Sequence, residues 1–511
     1  MKTYGRTTIY APFTEDEFLK GTDEDIVNKI IDILNNSVEL HNKNKSESQY
    51  LQDYLYGDQD IKNKVKLTRT DINNKSVENW AWAFMDWKKA FLLGKPIQYA
   101  PLNDISNDEI SKLNSYVKYE GKSQKDQDLF EDLFTVGRAF RYNIGSKTND
   151  DDEAPFDIVN LDVLNTEVVY SNSIYHEQIL AYVQTDMQYI VSEVNPETGE
   201  PEYRVENYDE YTVYTRNKQY VLNNKTGNLK LVGEIKPIIT KTHIITEYYF
   251  NKKRVSMLEL VKDILDDLND VENFDKDDIE SFVNSIMVFT NAEVNKEGMD
   301  AIKQYGAVSI KSTDQKKASV ELLQSRLKSL DTQIYYLRKL SALHSILSVP
   351  EATQNGEISN AETGKAVLTG QGFTSASVRI QNEENSFKEC DRKALKVILK
   401  ICKESADSGI EKLKVSDIDI KFSRDLSDNL LTKTTALLNL KSANIPPEVR
   451  NAVINLFSDP LSVTKMQEAY EEELREIQKE LDNRNSNNNE NKINETSNKL
   501  QDNTQIENQE Q

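Results

Sequence analysis

Apolar residues recur every three to four positions through residues 24–60, with Ile26, Ile30, Ile31 and Leu34 on one face and Tyr50, Tyr54 and Leu55 further on. That period predicts an amphipathic helix, with a turn at Tyr56-Gly57-Asp58. A second helix is predicted over 77–93, closed by Gly94 and kept from resuming by Pro96. A third is predicted over 126–141. Between 155 and 250 the pattern changes to short runs rich in β-branched and aromatic residues, such as FDIVNL, TEVVYS, QILAYVQ, YTVYT and THIITEYYF. Turn clusters at 195–199 and 224–227 separate them, which predicts an antiparallel β region.

From Ser256 to Phe289 there is neither Gly nor Pro, so a helix of roughly 50 Å is predicted. Residues 290–322 are mixed, with a short helix near 296–305 and strands in AVSIKS and ASVELL. A second long helix is predicted over 324–347. Its apolar positions Leu323, Leu327, Leu330, Ile334 and Leu337 alternate steps of four and three, a spacing suited to close helix packing. SVPEATQNGEI reads as a loop. A third long helical segment covers 360–403, interrupted by Gly370-Gln371-Gly372. Those glycines fit either a kink or hinge in one helix or a turn between two. Residues 425–480 form a smaller helical set. The last 31 residues hold ten Asn and four Gln and read as a disordered tail.

Inside the first long helix, DILDDLNDVENFDKDDIE carries nine acidic residues among eighteen. At 100° per residue Asp263, Asp266, Asp267, Asp270, Asp277 and Asp278 fall on one face. Val261, Ile264, Leu265, Leu268, Ile279 and Phe282 gather opposite, so the run is an amphipathic helix and not a disordered acidic tail. A calcium loop requires a Gly at its sharp turn, and a two-metal nuclease requires carboxylates converging from several elements. A single helical stripe meets neither requirement. It is either a solvated face or a wall past which a polyanion slides without gripping.

The net charge of -22 argues against whole-surface affinity for nucleic acid. Cys390 and Cys402 lie in an apolar-periodic segment without CxxC spacing and read as buried, reduced thiols. No stretch approaches the ~20 apolar residues of a membrane span, and no signal peptide is expected. Leu93-Gly94-Lys95-Pro96 fails as a phosphate-binding loop, because Lys89 and Pro96 stand where Gly and a hydroxyl are needed. His41, His176, His243 and His344 show no metal-ligand spacing. No catalytic residue, metal site or cofactor is expected. Against a conduit for DNA stand two alternatives: an acidic metal-dependent packaging nuclease, and a coiled-coil structural scaffold.

Several stretches resemble the portal proteins of tailed bacteriophages, the family typified by siphophages of Gram-positive bacteria. Tyr54-Leu55-Tyr56-Gly57-Asp58-Gln59-Asp60-Ile61 is similar to its early YxxGxxxI turn. Asn79 through Phe91-Leu92-Leu93-Gly94-Lys95-Pro96-Ile97-Gln98-Tyr99 is similar to its N…YxxGKPIxY helix end, with Phe91 in place of Tyr. Val136-Gly137-Arg138-Ala139-Phe140, Val168-Val169-Tyr170-Ser171 and Ile420-Lys421-Phe422-Ser423-Arg424-Asp425-Leu426 resemble later segments. The His-Pro approach to the first long helix is replaced by Tyr248-Tyr249-Phe250-Asn251-Lys252-Lys253-Arg254.

The resemblance implies an α+β portal fold: mainly helical, with long stem helices, a β-containing wing, a small α/β clip and a helical crown. Residues 1–255 and 359–424 would be wing, 256–289 and 323–347 the stem helices, and 290–322 the clip. Ser348, Val349, Pro350, Glu351, Ala352, Thr353, Gln354, Asn355, Gly356, Glu357 and Ile358 would be the tunnel loop, 425–480 the crown and 481–511 the tail. It further implies a ring, usually a dodecamer, at one capsid vertex of a virion assembled in host cytoplasm. Double-stranded DNA would pass through it without sequence specificity. Its partners would be the terminase large subunit, the head–tail adaptor, and the scaffolding and major capsid proteins. The two long helices have too little core for their length and must bury their apolar faces on neighbours, so oligomerisation is expected from pattern as well.

Overall fold

The computed structural model describes residues 4–67, 70–102, 107–146, 154–194, 201–283, 286–290, 319–323, 329–350, 373–405, 408–423, 430–443, 445–447, 450, 463–464 and 466–479. The chain divides into two units, one of Met1–Gly94 with Tyr116–Val415 and one of Lys95–Ser115 with Ser416–Gln511.

In the first unit, strand β1 (Ile9–Ala11) and the one-turn helix α1 (Glu15–Phe18) lead into α2 (Asp23–Leu55). Thr22 and Asp25 form a capping box that starts α2, and Gly57, at φ 95°, turns the chain just after it. α3 (Trp80–Leu93) follows, its first turn capped by the Asn79 side chain. After α5 (Lys122–Thr135) come β3 (Arg138–Gly145), β4 (Phe156–Leu161), β5 (Thr166–Ser171), β6 (Gln178–Val194), β7 (Pro201–Thr215), β8 (Lys218–Asn223), β9 (Lys230–Leu231), β10 (Lys236–Pro237) and β11 (Ile245–Tyr249). Then come α6 (Met257–Val283), β12 (Ile286–Thr290), β13 (Ser319–Leu323), α7 (Ser329–Leu347) and α8 (Phe373–Glu404).

The larger sheet runs β1-β5-β6-β7-β8-β10, with β9 on β8; all its pairings are antiparallel except β1 on β5. Ile26, Ile30 and Leu34 of α2 pack against Leu180, Tyr182, Val213, Tyr220 and Leu222 of this sheet, so the apolar stripe legible in α2 is its core face. A three-stranded sheet, β11-β3-β4, carries α5 and α8. Among them Arg141 is fully enclosed, with Asp126 at 2.7 Å and Asp391 at 3.7 Å. Lys122 reaches the same two carboxylates at 2.8 and 3.0 Å. Two cations thus face two anions, which is how buried charge is tolerated. Cys390 and Cys402 lie buried as free thiols on α8, and burial pushes their pKa values up to about 11 and about 12.

In the second unit, β2 (Gln98–Pro101) pairs antiparallel with β14 (Ile418–Lys421). Asn114, on α4 (Asn107–Tyr119), bonds both the N–H and the carbonyl of Tyr99. α9 (Leu430–Ser442) and a helical run over 466–479 also belong to this unit.

Two boundaries differ from the sequence expectation. The helix read over 126–141 stops at Thr135. Gly137, at φ 90°, turns the chain into β3, and a Cβ there would lie 2.3 Å from the Arg254 carbonyl. The helix read over 256–289 stops at Val283, because Ile286–Thr290 pairs as a strand with Ser319–Leu323. The second long helix is described over Ser329–Leu347, and residues 324–328 of its expected range lie outside the described residues. The turn at 195–199, the short helix at 296–305, AVSIKS, Gly370, Gly372 and the 481–511 tail lie outside the described residues.

One buried contact ties α2 to both sheets. Glu167 on β5 receives Arg138 through two bonds of 2.6 and 2.8 Å, the Asn44 amide at 3.1 Å, and faces the His41 ring at 3.5 Å. Burial alone would raise its pKa, but Arg138 and His41 hold it down at about 2, below the ordinary 4.5. A depressed carboxylate stabilises the fold fully above the unfolded value and stops doing so as pH falls through the folded one. Acid unfolding monitored by circular dichroism should therefore show stability falling between pH 4.5 and about 2. Glu167→Gln should flatten that dependence and lower neutral-pH stability by about 3–5 kcal/mol.

Candidate functional site

α6 begins at a capping box: the Ser256 hydroxyl accepts the Glu259 N–H at 3.0 Å, and Glu259 accepts the Ser256 N–H at 2.8 Å. The same Glu259 carboxylate takes the Gly5 N–H at 3.1 Å and pairs with the buried Arg6 guanidinium. The N-terminal segment is thereby fastened to the start of the helix. Just before it, Arg254 sits at φ 51°, an uncommon conformation for a residue with a side chain. Its guanidinium holds Glu247 with two bonds of 3.0 and 2.8 Å and lies 4.5 Å from the centre of the Tyr249 ring. Gly5 and Gly137 lie where any Cβ would strike the carbonyls of Lys253 and Arg254. The junction whose sequence departs from the family pattern is thus a clamp of ion pairs and close backbone contacts.

Along α6 the acidic stripe divides among different neighbours. Asp277 is buried; it accepts the Asn74 N–H and amide at 2.8 Å and pairs with Lys64 and Lys66 at 3.0 and 3.1 Å. Burial alone would raise its pKa, and those donors hold it well below the carboxylate range instead. Asp266 accepts the Tyr54 hydroxyl at 2.7 Å and Lys262 at 2.6 Å. Asp267 pairs with Lys339 at 2.5 Å and so joins α6 to α7. Asp263, Asp270 and Asp278 are exposed, with Tyr4 3.4 Å from Asp263. Six carboxylates in one stripe are therefore not one surface: three are buried or half-buried against partners in the chain and three are exposed. Leu258, Val261, Leu265 and Leu268 are buried opposite and Ile264 is half-buried. Ile279 is exposed, and the Phe282 side chain lies outside the described residues.

The irregular segment 72–79 lies along α6 as a strap. Glu78, Ser76 and Asn74 donate their N–H groups to Asn269, Asn273 and Asp277 at 2.9, 2.7 and 2.8 Å. Every second strap residue meets every fourth helix residue. Four helical residues advance about 6 Å and two extended residues about 6.6 Å, so the rungs nearly match. Asn273 also donates to the Ser76 carbonyl at 2.7 Å. This ladder satisfies strap backbone that would otherwise need water, and sequence reasoning missed it. The only local trace is the spacing of Asn269, Asn273 and Asp277.

On α7, Leu340, Leu343 and Leu347 are buried, while Leu330 and Ile334 are 69 % and 49 % exposed. Tyr335 is exposed and Leu337 half-buried; the side chains of Leu323 and Leu327 lie outside the described residues. The four-three spacing therefore marks an apolar strip that the described residues do not cover at its Leu330 end. Of the loop read over 348–358, Ser348, Val349 and Pro350 are described and Glu351 to Ile358 are not. Among the described residues no group of three or more His, Cys, Asp or Glu side chains is arranged to hold a metal ion, and no helix is long and apolar enough to cross a membrane.

Replacing the buried Asn273 by Ala removes its two bonds to Ser76 and its bond to the Asn269 carbonyl and should cost about 2 kcal/mol. Asp278→Ala, on the exposed part of the same helix, should stay within about 0.5 kcal/mol. Denaturant midpoints of the two variants check the contrast, which a stripe acting only through charge would reverse.

A family model for phage portal proteins of the SPP1 Gp6-like type matches residues 34–487. No curated protein matches the chain. The family match takes in the strap, the Glu247–Arg254 pair before α6, both long helices and the 348–350 turn, and extends through most of the second unit; Gly5 and Arg6 lie outside it. The chain belongs to the phage portal protein family, SPP1 Gp6-like.

Proposed function

We propose that this chain assembles as a closed ring, a dodecamer, at one capsid vertex and conducts the genome in during packaging and out during ejection. The observation that carries the reading is the uncovered apolar strip of α7 beside a helix whose own apolar side chains Leu260, Phe274 and Ile279 are 60 %, 52 % and 55 % exposed. Such side chains on paired long helices gain most by packing on the next copy, and a head-to-tail repeat of one such contact closes into a ring. Residues 256–289 and 323–347 act as the stem and 290–322 as the clip, which docks the terminase large subunit and later the head–tail adaptor. Residues 425–480 act as the crown. Wing residues 1–255 and 359–424 meet the scaffolding and major capsid proteins as the ring nucleates the procapsid.

The exposed carboxylates Asp263, Asp270 and Asp278 are the part of the stripe free to line a DNA path. A wall of that sign lets the duplex move, since each cation on phosphate adds affinity and slows it. The 348–358 loop carries no Lys, Arg or aromatic residue, so it has no cation with which to grip phosphate and meets DNA by shape. A kink or hinge at Gly370 and Gly372, as against a plain turn, would let the loop shift. The chain itself does no chemistry; hydrolysis of nucleotide belongs to the terminase.

Negative-stain microscopy and native mass spectrometry of the purified chain should show an annulus with a central hole. Leu330→Glu with Ile334→Glu should abolish the annulus while moving the melting temperature of the monomer by only a few degrees, because both positions are exposed there. Monomers from the unaltered chain at micromolar concentration would overturn the reading.

A further inference from the structure

Three helices meet where the chain leaves α7 for the 348–358 segment. Leu347 is the last residue of α7, so its carbonyl has no partner further along the helix. Lys88, on α3 and only 3 % exposed, donates to that carbonyl at 3.1 Å and pairs with Glu383 of α8 at 2.5 Å. Arg379, also on α8, donates to the Ser345 carbonyl at 2.9 Å and to the Ser348 hydroxyl at 3.2 Å. Ser348 adopts φ 60°, and the Val349 N–H folds back onto the His344 carbonyl at 3.0 Å. The His344 ring bonds the Val349 carbonyl at 3.2 Å and packs edge-on against Phe84 of α3 at 4.9 Å. Val349 itself is buried.

A lysine ammonium normally keeps its water, and burying it is costly unless both charge and hydrogen bonds are answered. Lys88 is answered by the negative end of a helix and by a carboxylate, the two groups that suit it best. An apolar residue of the same size would fill the space without holding the end of α7. The ammonium therefore fixes a position as well as occupying a volume.

We propose that Lys88 is the positioning residue of the turn Leu347–Val349, the root from which the 348–358 segment departs. It anchors the last turn of α7 to α3 and α8, so that the chain leaves α7 from a fixed root. Because Glu383 and Arg379 both belong to α8, a displacement of α8 along α7 is passed directly to that root. The loop's role against DNA rests on the function proposed above; the anchoring does not.

Hydrogen exchange of the Val349 amide in the assembled full-length protein tests this. Lys88→Met should raise its exchange about tenfold, the effect of losing one charge-assisted bond at the root, and leave the Phe140 amide of β3 unchanged. Lys88→Met leaves the half-buried Glu383 beside an apolar group, so the double variant Lys88→Met, Glu383→Met separates anchoring from charge burial. It should restore the melting temperature while Val349 stays fast. Unchanged Val349 exchange in the single variant overturns the proposal. So does an equal rise at Phe140, and so does recovery of Val349 protection in the double variant. The amount of DNA packaged per particle is read separately. A loosened root with full packaging keeps the anchor and removes the DNA-facing role of the loop.

Discussion

The structure around α6 depends on one constraint: a helix of 27 residues, about 40 Å long, cannot be covered by its own sequence neighbours. It borrows cover from far along the chain. The N-terminal segment closes its first turn through Arg6 and Gly5, the 72–79 strap lies along its middle, and α7 joins it through Lys339 and Asp267. Each borrowed contact is polar and directional, so it fixes where the helix points as well as how stable it is. Apolar burial on α6 alone would leave its rotation and slide less well defined.

The same logic explains why the first unit is dense in enclosed ions. Arg138 with Glu167 and Arg141 with Asp126 and Asp391 connect separate elements, and Arg254 with Glu247 fixes the turn between β11 and α6. Such pairs contribute modest net stability relative to apolar packing, but they tolerate little displacement. In a protein whose parts must hold a common geometry in every copy of an assembly, that intolerance is useful.

Periodicity in the sequence was enough to read α2, α3, the β region and the two long helices, because those signals are local. Ile26, Ile30 and Leu34 pack on the sheet as their spacing implies. The end of α5 was not legible, since the choice between helix and strand at 138–141 turns on a backbone contact between Gly137 and Arg254. The carboxylate stripe was visible, yet its division was not: Asp266 and Asp277 are answered by Tyr54 and Asn74, more than two hundred positions earlier. Lys88 in the run FMDWKKAF reads like a solvated helix charge. Only the arrival of Leu347 and Glu383 from other helices explains its burial.

The strap and the helix behave as a vernier. Their steps differ by about 0.6 Å per rung, so three rungs stay in phase and a longer series would drift by more than a hydrogen bond tolerates. The mismatch sets a natural limit to how far such a strap can accompany a helix. It also means that the two segments can change length over evolution only in step, four residues in one for two in the other.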